Sequence, residues 1–383
     1  MTLSCISYGE KMFTKNDTNK VKGMAIILML IHHCFMNSGR YKGQQVIFSL
    51  LPEWRVNEFA LSMKICVAMF VFLSAYGITY SLKRLNEKYE YSRKELEISL
   101  IKRWTKMMGG FIFVFLLVQL YSVITGQGWY VKNYGEGAMS LLYFGIDMFG
   151  LAQFFHTPTF LATFWYMSLA QIIVFIIPLM IMVYRKFGTV TLLALSIMVS
   201  MLFPVDTPSN KTYAYLPVYI VCIAVGILAS DKNLLVKMKE FSLTNNKFVG
   251  KIIKFLVYII LLVAIWYYRK EMLGTTILSV FEGLMTITLI GFMFEFINPI
   301  PVVGRVLKFL GVYSMNIFLI HNFIRVCWYY DFTYSFKYPV LIVGVLLVVS
   351  LVVAIVIDLI KKLVRWDKLI SVLQKKLIGM VSE

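Results

Sequence analysis

The sequence predicts an all-α polytopic membrane protein with about ten transmembrane helices and both termini in the cytoplasm. Hydrophobic residues make up 59% of the 383 residues, whereas charged residues make up only 15%. The mean hydropathy is +0.75, and apolar runs of about 20 residues, enough to cross a bilayer, recur along the chain. A soluble domain of this length would need far more charge to cover its surface.

Ten apolar runs, separated by polar or helix-breaking residues, are predicted as spans: 21–37, 59–81, 106–125, 161–184, 188–204, 213–229, 250–268, 273–295, 306–328 and 338–360. With the N-terminus inside, 28 of the 38 lysines and arginines lie nearer the cytoplasm and 10 lie nearer the outer side. This asymmetry favours that orientation. The net charge of +18 therefore indicates topology and attraction to membrane lipid or an anionic cytoplasmic ligand, and does not indicate nucleic acid.

Three regions follow from this pattern: a cytoplasmic lead over 1–20, a membrane domain over 21–360 and a basic amphipathic cytoplasmic tail over 361–383. The long outer segment contains an apolar piece from Ala138 to Phe155 that carries Asp147. We interpret it as one interfacial or re-entrant outer helix, because an eleventh span would reverse every later loop. His156, at its end, is expected to face water.

The first span carries a cation at its start and a histidine deep inside. Lys22 and His33 are separated by eleven residues, which is about three turns, so both lie on one helix face about 16 Å apart. Lys22 is also explained as an interfacial anchor. His33 is a functional candidate because ionisable groups inside a span are costly. Its neighbour His32 diverges by about 100°, which does not favour a shared metal ion, and no metal site is predicted.

Polar residues in other spans have two interpretations each. Arg103 and Lys106 lie on one face at the cytoplasmic boundary, as a positive-inside cluster or as a phosphate clamp. Glu282 lies about eight residues into its span and either handles protons or pairs with a nearby cation. His321 reaches a depth similar to that of His33 and is either functional or a satisfied structural histidine. The small residues near Ser74 are consistent with close helix packing.

Four stretches resemble the type 3 membrane acyltransferases, a family of integral bacterial proteins that O-acylate sugars. They are KGMAIILMLIHH, FVFLSAYG, KRWTK and FLGVYSMNIFLIH, and they occur in the family's order from Lys22 to His321. Three positions depart from the pattern: Lys22 and Lys106 replace arginines, and Ala75 replaces a glycine. The segment WYMSLAQ lacks the glutamate that many members have, and Gln171 lies near that position.

The resemblance implies an acetyl-CoA-dependent O-acetyltransferase in the bacterial plasma membrane. Lys22, Arg103 and Lys106 would hold the phosphates of acyl-CoA, and the pantetheine arm would extend toward a catalytic His33. His33 would act as general base on a sugar or polysaccharide hydroxyl arriving from outside, or would carry the acyl group itself. The remaining expectations assign catalytic support to His321 and Glu282, and substrate contact or packing to Ser74, Tyr76 and Trp165.

Two other classes stay open at this point. A transporter or flippase would use His33, Glu282 and His321 as a proton or substrate relay. A non-catalytic component of a polysaccharide assembly system would neither bind nor turn over CoA. The acceptor glycan, its hydroxyl, the acyl chain length and the formation of a homo-oligomer are also left open.

Overall fold

A computed structural model of the protein describes residues 12–202 and 211–382. Within these ranges the chain is helical and contains no strand. The first eleven residues of the predicted lead and the end of the predicted 188–204 span lie outside the described residues. The α-helices of the first half are α1 (Lys15–Phe35), α2 (Glu53–Ser62), α3 (Ile65–Leu85), α4 (Arg93–Ile124), α5 (Trp129–Tyr134), α6 (Ala138–Met148), α7 (Ala152–Phe155) and α8 (Trp165–Leu202).

The second half continues with helices of very different length. They are α9 (Lys211–Asp231), α10 (Leu234–Glu240), α11 (Lys247–Glu271), α12 (Leu278–Phe292), α13 (Pro301–Val312), α14 (Ser314–Asn322), α15 (Tyr330–Tyr334), α16 (Pro339–Leu363) and α17 (Trp366–Ser382). Two π-helical segments, Met293–Ile297 and Phe323–Trp328, extend α12 and α14.

Among the described residues, six helical segments are long and apolar enough to cross a membrane, or up to eight if each of two bent pairs is one span. The predicted all-α multi-pass class is confirmed, but the count of about ten is not. α1 is outside the six because its polar start and two histidines lower its hydropathy. The predicted spans 161–184 and 188–204 correspond to the two parts of α8, which are separated by a non-helical break at Gly188, where φ is 86°.

α1 lies against α13 with almost no space between the two backbones. A Cβ added to Gly23 would lie 2.0 Å from the carbonyl oxygen of Leu307, and one added to Gly311 would lie 1.8 Å from that of Asn19. Such approach requires glycine on each helix at the crossing points. The α1 start is fixed by a capping box between Thr14 and Asp17.

The predicted ninth span, 306–328, is not one straight helix. α13 ends at Val312, and the segment Ser314–Trp328 is bent from it by 68°. α13 packs tightly against the first half of α1. The bend then turns the following segment away from the direction of α13. It packs beside the later half of α1 and beside α16. The bend therefore decides what His321 contacts.

The charged stretch 93–105 and the predicted span 106–125 form one continuous helix, α4. A capping box between Ser92 and Glu95 begins it. Within the predicted tail, 361–383, α17 runs from Trp366 to Ser382, and it packs along α4. Trp366 Nε1 donates to the Gly109 carbonyl at 2.9 Å.

The predicted outer segment contains short helices instead of the single helix predicted from Ala138 to Phe155. α6 and α7 are separated at Gly150, where φ is 66°, and the eleven residues of α6 reach only about 16 Å, too short to cross a bilayer. Asp147 is buried and accepts hydrogen bonds from Tyr134 Oη at 2.8 Å, Thr159 Oγ1 at 3.0 Å and the Phe160 amide at 2.6 Å. Burial raises the pKa of Asp147, while these three donors oppose the shift. His156 is exposed, as predicted.

Two buried ion pairs attach the peripheral helix α11 to the rest of the protein. Only 17% of the most apolar stretch of α11 is buried inside the protein, so apolar packing alone holds the helix weakly. Arg269 Nη2 lies 2.7 Å from Glu282 Oε1 at one end, and Lys254 Nζ lies 2.8 Å from Glu295 Oε2 at the other. These pairs hold α11 beside α12 and its π-helical extension.

Candidate active site

Two histidines from opposite ends of the chain meet in the interior. The imidazole rings of His33 on α1 and His321 on α14 have centroids 5.0 Å apart and are tilted by 40°. The His321 side chain has no exposed surface, and His33 is half-buried. The sequence predicts only a similar depth for these two residues, whereas the structure places their rings in direct contact.

The hydrogen bonds of His321 define its tautomer. Its Nδ1 lies 2.8 Å from the carbonyl oxygen of Phe318 and 3.2 Å from that of Ile317. A carbonyl oxygen only accepts, so Nδ1 carries the proton and Nε2 carries a lone pair. His321 Nε2 and His33 Nδ1 are both buried without a hydrogen-bond partner among the described residues. The site therefore holds unsatisfied imidazole nitrogens that can accept or transfer a proton.

His32, the neighbour of His33, is held by a backbone hydrogen bond and does not face His321. His32 Nδ1 donates to the carbonyl oxygen of Ala60 on α2 at 3.0 Å, which fixes its ring toward a different helix. The ring centroids of His32 and His33 are 5.3 Å apart. The tandem pair thus divides into one anchored ring and one that contacts His321.

The three predicted cofactor-binding residues lie in one basic cluster. The charge of Lys22 is close enough to interact with those of Lys106, Lys15 and Arg103. Arg103 Nη2 donates to Ser81 Oγ at 2.8 Å and to the Gly77 carbonyl at 3.2 Å. No carboxylate among the described residues forms an ion pair with Lys22, Arg103 or Lys106, so the cluster has uncompensated positive charge.

The other predicted site residues have partners elsewhere in the fold. Glu282 is bound by Arg269 on α11, with one carboxylate oxygen, Oε2, buried and without a hydrogen-bond partner in the described structure. Ser74 Oγ donates to the Phe70 carbonyl within its own helix at 2.9 Å. The remaining two are aromatic and pack against other rings: Tyr76 against Phe13 at 5.3 Å, and Trp165 on Tyr215 at 4.2 Å.

Two cavities lie near the two ends of α1. One of about 530 Å³ follows its C-terminal end and is lined by Ser38, Gly39, Tyr41, Lys42, Gln44, Val46, Phe48 and Glu53. The other, of about 350 Å³, is lined by Val236, Lys239, Glu240 and Phe294. Phe294 contacts Phe13, which precedes α1, at 5.2 Å. Neither of these two cavities is lined by His33 or His321.

Arg325 belongs to the same region as His321, although no motif in the sequence indicated it. Its side chain is only 2% exposed, and it follows His321 by one helical turn. It lies near the end of the predicted span 306–328, where a charge is common as an interfacial anchor. The signal was its spacing of four residues from His321, which places both on one helix face. Gln171, where many family members have glutamate, accepts from Trp104 Nε1 at 3.0 Å and donates to the Phe149 carbonyl at 3.0 Å.

The fold and the site define a class: a multi-pass helical membrane protein with two imidazoles in contact and a separate cluster of uncompensated cations. A family model described as an acyltransferase domain matches residues 19–359. The chain belongs to this family, the acyltransferase 3 family, and is a membrane acyltransferase. No curated protein matches the chain, and no solved structure matches it.

Proposed function

We propose that the protein moves an acyl group, acetyl in the first instance, from cytoplasmic acyl-CoA to a hydroxyl of an extracytoplasmic or lipid-linked sugar. The observation that carries the proposal is the arrangement of α1, a continuous helix from Lys15 to Phe35. On this helix, Lys22 belongs to the basic cluster and His33 belongs to the imidazole pair. The two lie about 16 Å apart on one face.

The basic cluster supports an anionic donor. Lys22, Arg103 and Lys106 have no carboxylate partner in the described structure, and clusters of this kind recognise phosphate groups. CoA carries phosphates at one end and its thioester at the other, joined by a narrow pantetheine arm. Binding of the phosphates at the cluster would direct the thioester along α1 toward His33.

The imidazole pair supports proton transfer at the other end. An unsatisfied neutral imidazole can take the proton of a sugar hydroxyl as that oxygen attacks the thioester carbonyl carbon. The outer cavity adjoins the end of α1 and carries the side chains of Glu53, Gln44 and Tyr41. These groups can form hydrogen bonds with sugar hydroxyls. We therefore assign the sugar acceptor to this cavity, on the outer side of the bacterial plasma membrane.

The experiment uses purified full-length protein in lipid nanodiscs with labelled acetyl-CoA and a panel of sugar acceptors. We expect CoA to raise the unfolding temperature and acetyl transfer to require His33. His33→Asn should lower the transfer rate by about 10²-fold or more, while the exposed control His156→Asn retains it. Binding of a labelled sugar with no acetylated product would favour a transporter. No response to CoA at all would favour a non-catalytic component.

A further inference from the structure

Arg325 differs from the other buried cations in the described part of the chain. Lys254 and Arg269 each pair with a carboxylate, at 2.8 Å and 2.7 Å. Arg325 is at least as buried, yet its contacts are neutral: Nε donates to Asn322 Oδ1 at 2.9 Å, and Nη1 donates to Tyr334 Oη at 3.3 Å. No carboxylate among the described residues forms an ion pair with it. An uncompensated buried charge is costly, and in a membrane protein it marks a functional candidate.

The position of Arg325 connects it to both histidines. It follows His321 by four residues, so the two side chains are neighbours on one helix face. It lies in the π-helical segment Phe323–Trp328, and such segments occur often at functional sites. Tyr334 Oη, which accepts from Arg325, donates to the carbonyl oxygen of Cys34 at 3.2 Å. Cys34 is the residue after His33, so the guanidinium lies between the end of α1 and the helix of His321.

Three unsatisfied groups therefore share this region. His33 Nδ1 and His321 Nε2 have no partner within the described chain, and the Arg325 charge has no counter-charge there. Acyl transfer to a hydroxyl needs this combination. A base takes the hydroxyl proton, and a fixed cation stabilises the negative charge that develops on the carbonyl oxygen.

We infer that Arg325 is a further catalytic residue that donates a hydrogen bond to the carbonyl oxygen of the bound thioester. This inference rests on the proposed function. The acceptor oxygen forms a bond to the carbonyl carbon while its proton passes to His33. The carbonyl π electrons move onto the oxygen, where the guanidinium stabilises them. When they return, the C–S bond breaks, and the proton on His33 passes to the CoA thiolate.

An acidic acceptor is the competing explanation for the same cation. Tyr41, which lines the outer cavity, has its ring centroid 6.4 Å from that of Tyr334, and Tyr334 contacts Arg325. A carboxylate on a sugar entering from this cavity would therefore meet the guanidinium. The two roles differ in what they require: an oxyanion contact acts even when water is the acceptor, whereas a carboxylate contact acts only when an acidic sugar is present.

The test compares Arg325→Gln and Arg325→Lys with Arg305→Gln, a control on the other arm of the bent pair, where the arginine is exposed. CoA release from acetyl-CoA is measured with and without acceptor in nanodiscs. We expect Arg325→Gln to lower kcat by about 10²–10³-fold in both assays, with KM for acetyl-CoA within about twofold. We expect Arg325→Lys to lose about tenfold and Arg305→Gln to match the wild type.

A spectroscopic measurement separates this role from a structural one. In the His33→Asn background, acetyl-CoA labelled with ¹³C at the carbonyl is bound without turnover, and its infrared carbonyl stretch is recorded. Arg325 should shift the stretch to lower wavenumber, and Arg325→Gln should remove the shift. An unchanged stretch, or a defect confined to KM for acidic sugars, would overturn the inference. If the wild type neither binds nor cleaves acetyl-CoA, the proposed function itself fails.

Where Arg325→Gln does not fold, two other variants carry the test. Arg325→Lys keeps the buried charge, and Tyr334→Phe removes the acceptor that orients Nη1 while leaving the guanidinium in place. A carbonyl stretch intermediate between wild type and free acetyl-CoA in either variant supports the inference. A wild-type stretch together with wild-type kcat in both contradicts it.

Discussion

His33 and His321 face each other across the contact between α1 and α14, with ring centroids 5.0 Å apart. One nitrogen of His321 is committed to the backbone of its own helix, and the other has a lone pair without a partner in the described structure. The pair thus has a defined direction for proton movement, because His321 accepts at Nε2 while its Nδ1 proton is held by a carbonyl.

Replacement of His321 tests whether this lone pair assists His33. His321→Phe keeps the ring volume and removes both nitrogens, so we expect kcat to fall by about tenfold or more with little change in CoA affinity. The measurement is acetyl transfer by variants with matched folded fractions. His32→Phe is the control: it removes the contact with Ala60, so it should lower the unfolding temperature more than the rate. Equal rates for wild type and His321→Phe would assign His321 a packing role.

Replacement of Lys22 tests the basic cluster. Lys22→Met removes one charge and keeps most of the stem, and we expect the Kd for CoA to rise about tenfold, as for loss of one charge-assisted hydrogen bond. The difference in Kd between wild type and variant should shrink at high salt, because salt screens the attraction that Lys22 contributes in the wild type. Thermal stabilisation by CoA measures it. Lys232→Met, at a lysine that donates to Thr189, is the control, and an equal loss there would point to non-specific attraction.

The glycine contacts between α1 and α13 predict a sharp contrast between two identical substitutions. Gly23→Ala would bring Cβ to 2.0 Å from the Leu307 carbonyl oxygen, whereas Gly110→Ala on α4 meets nothing within 4 Å. We expect the first to destabilise the protein by about 2 kcal/mol or more and the second to be neutral or stabilising by up to about 1 kcal/mol. Thermal unfolding in detergent measures both, and similar melting temperatures would exclude the close helix approach.

Substitutions in the buried pair of Arg269 and Glu282 test the alternative that the protein is a transporter in which Glu282 is part of a proton relay. Removal of one partner, as in Glu282→Gln, leaves a buried arginine uncompensated and should destabilise the protein by about 3–5 kcal/mol. The double variant Arg269→Met with Glu282→Leu should recover most of that stability and retain acetyl transfer. Loss of transfer in the stable double variant would restore Glu282 as a catalytic group or as part of a relay.

The fold class and the common face of Lys22 and His33 followed from the sequence because both depend on local pattern. Apolar runs of bilayer length identify spans wherever they occur, and the spacing of Lys22 and His33 fixes their common face once the segment is helical. The same logic predicted that Arg103 and Lys106 lie on one helix face at the cytoplasmic boundary of their span. It could not establish that the charged stretch before the predicted span 106–125 continues into that span as the single helix α4.

By itself, the sequence determined a multi-pass helical protein of the acyltransferase 3 family with a histidine deep in its first helix. The tertiary structure alone decided which residue meets that histidine. Helical periodicity gives the face of a side chain but not its partner on another helix. The 68° bend after α13 aims His321 at His33 and brings Arg325 beside them. Glu282, equally conspicuous in the sequence, is instead held by Arg269, because packing of α11 on α12 brings that cation within 2.7 Å.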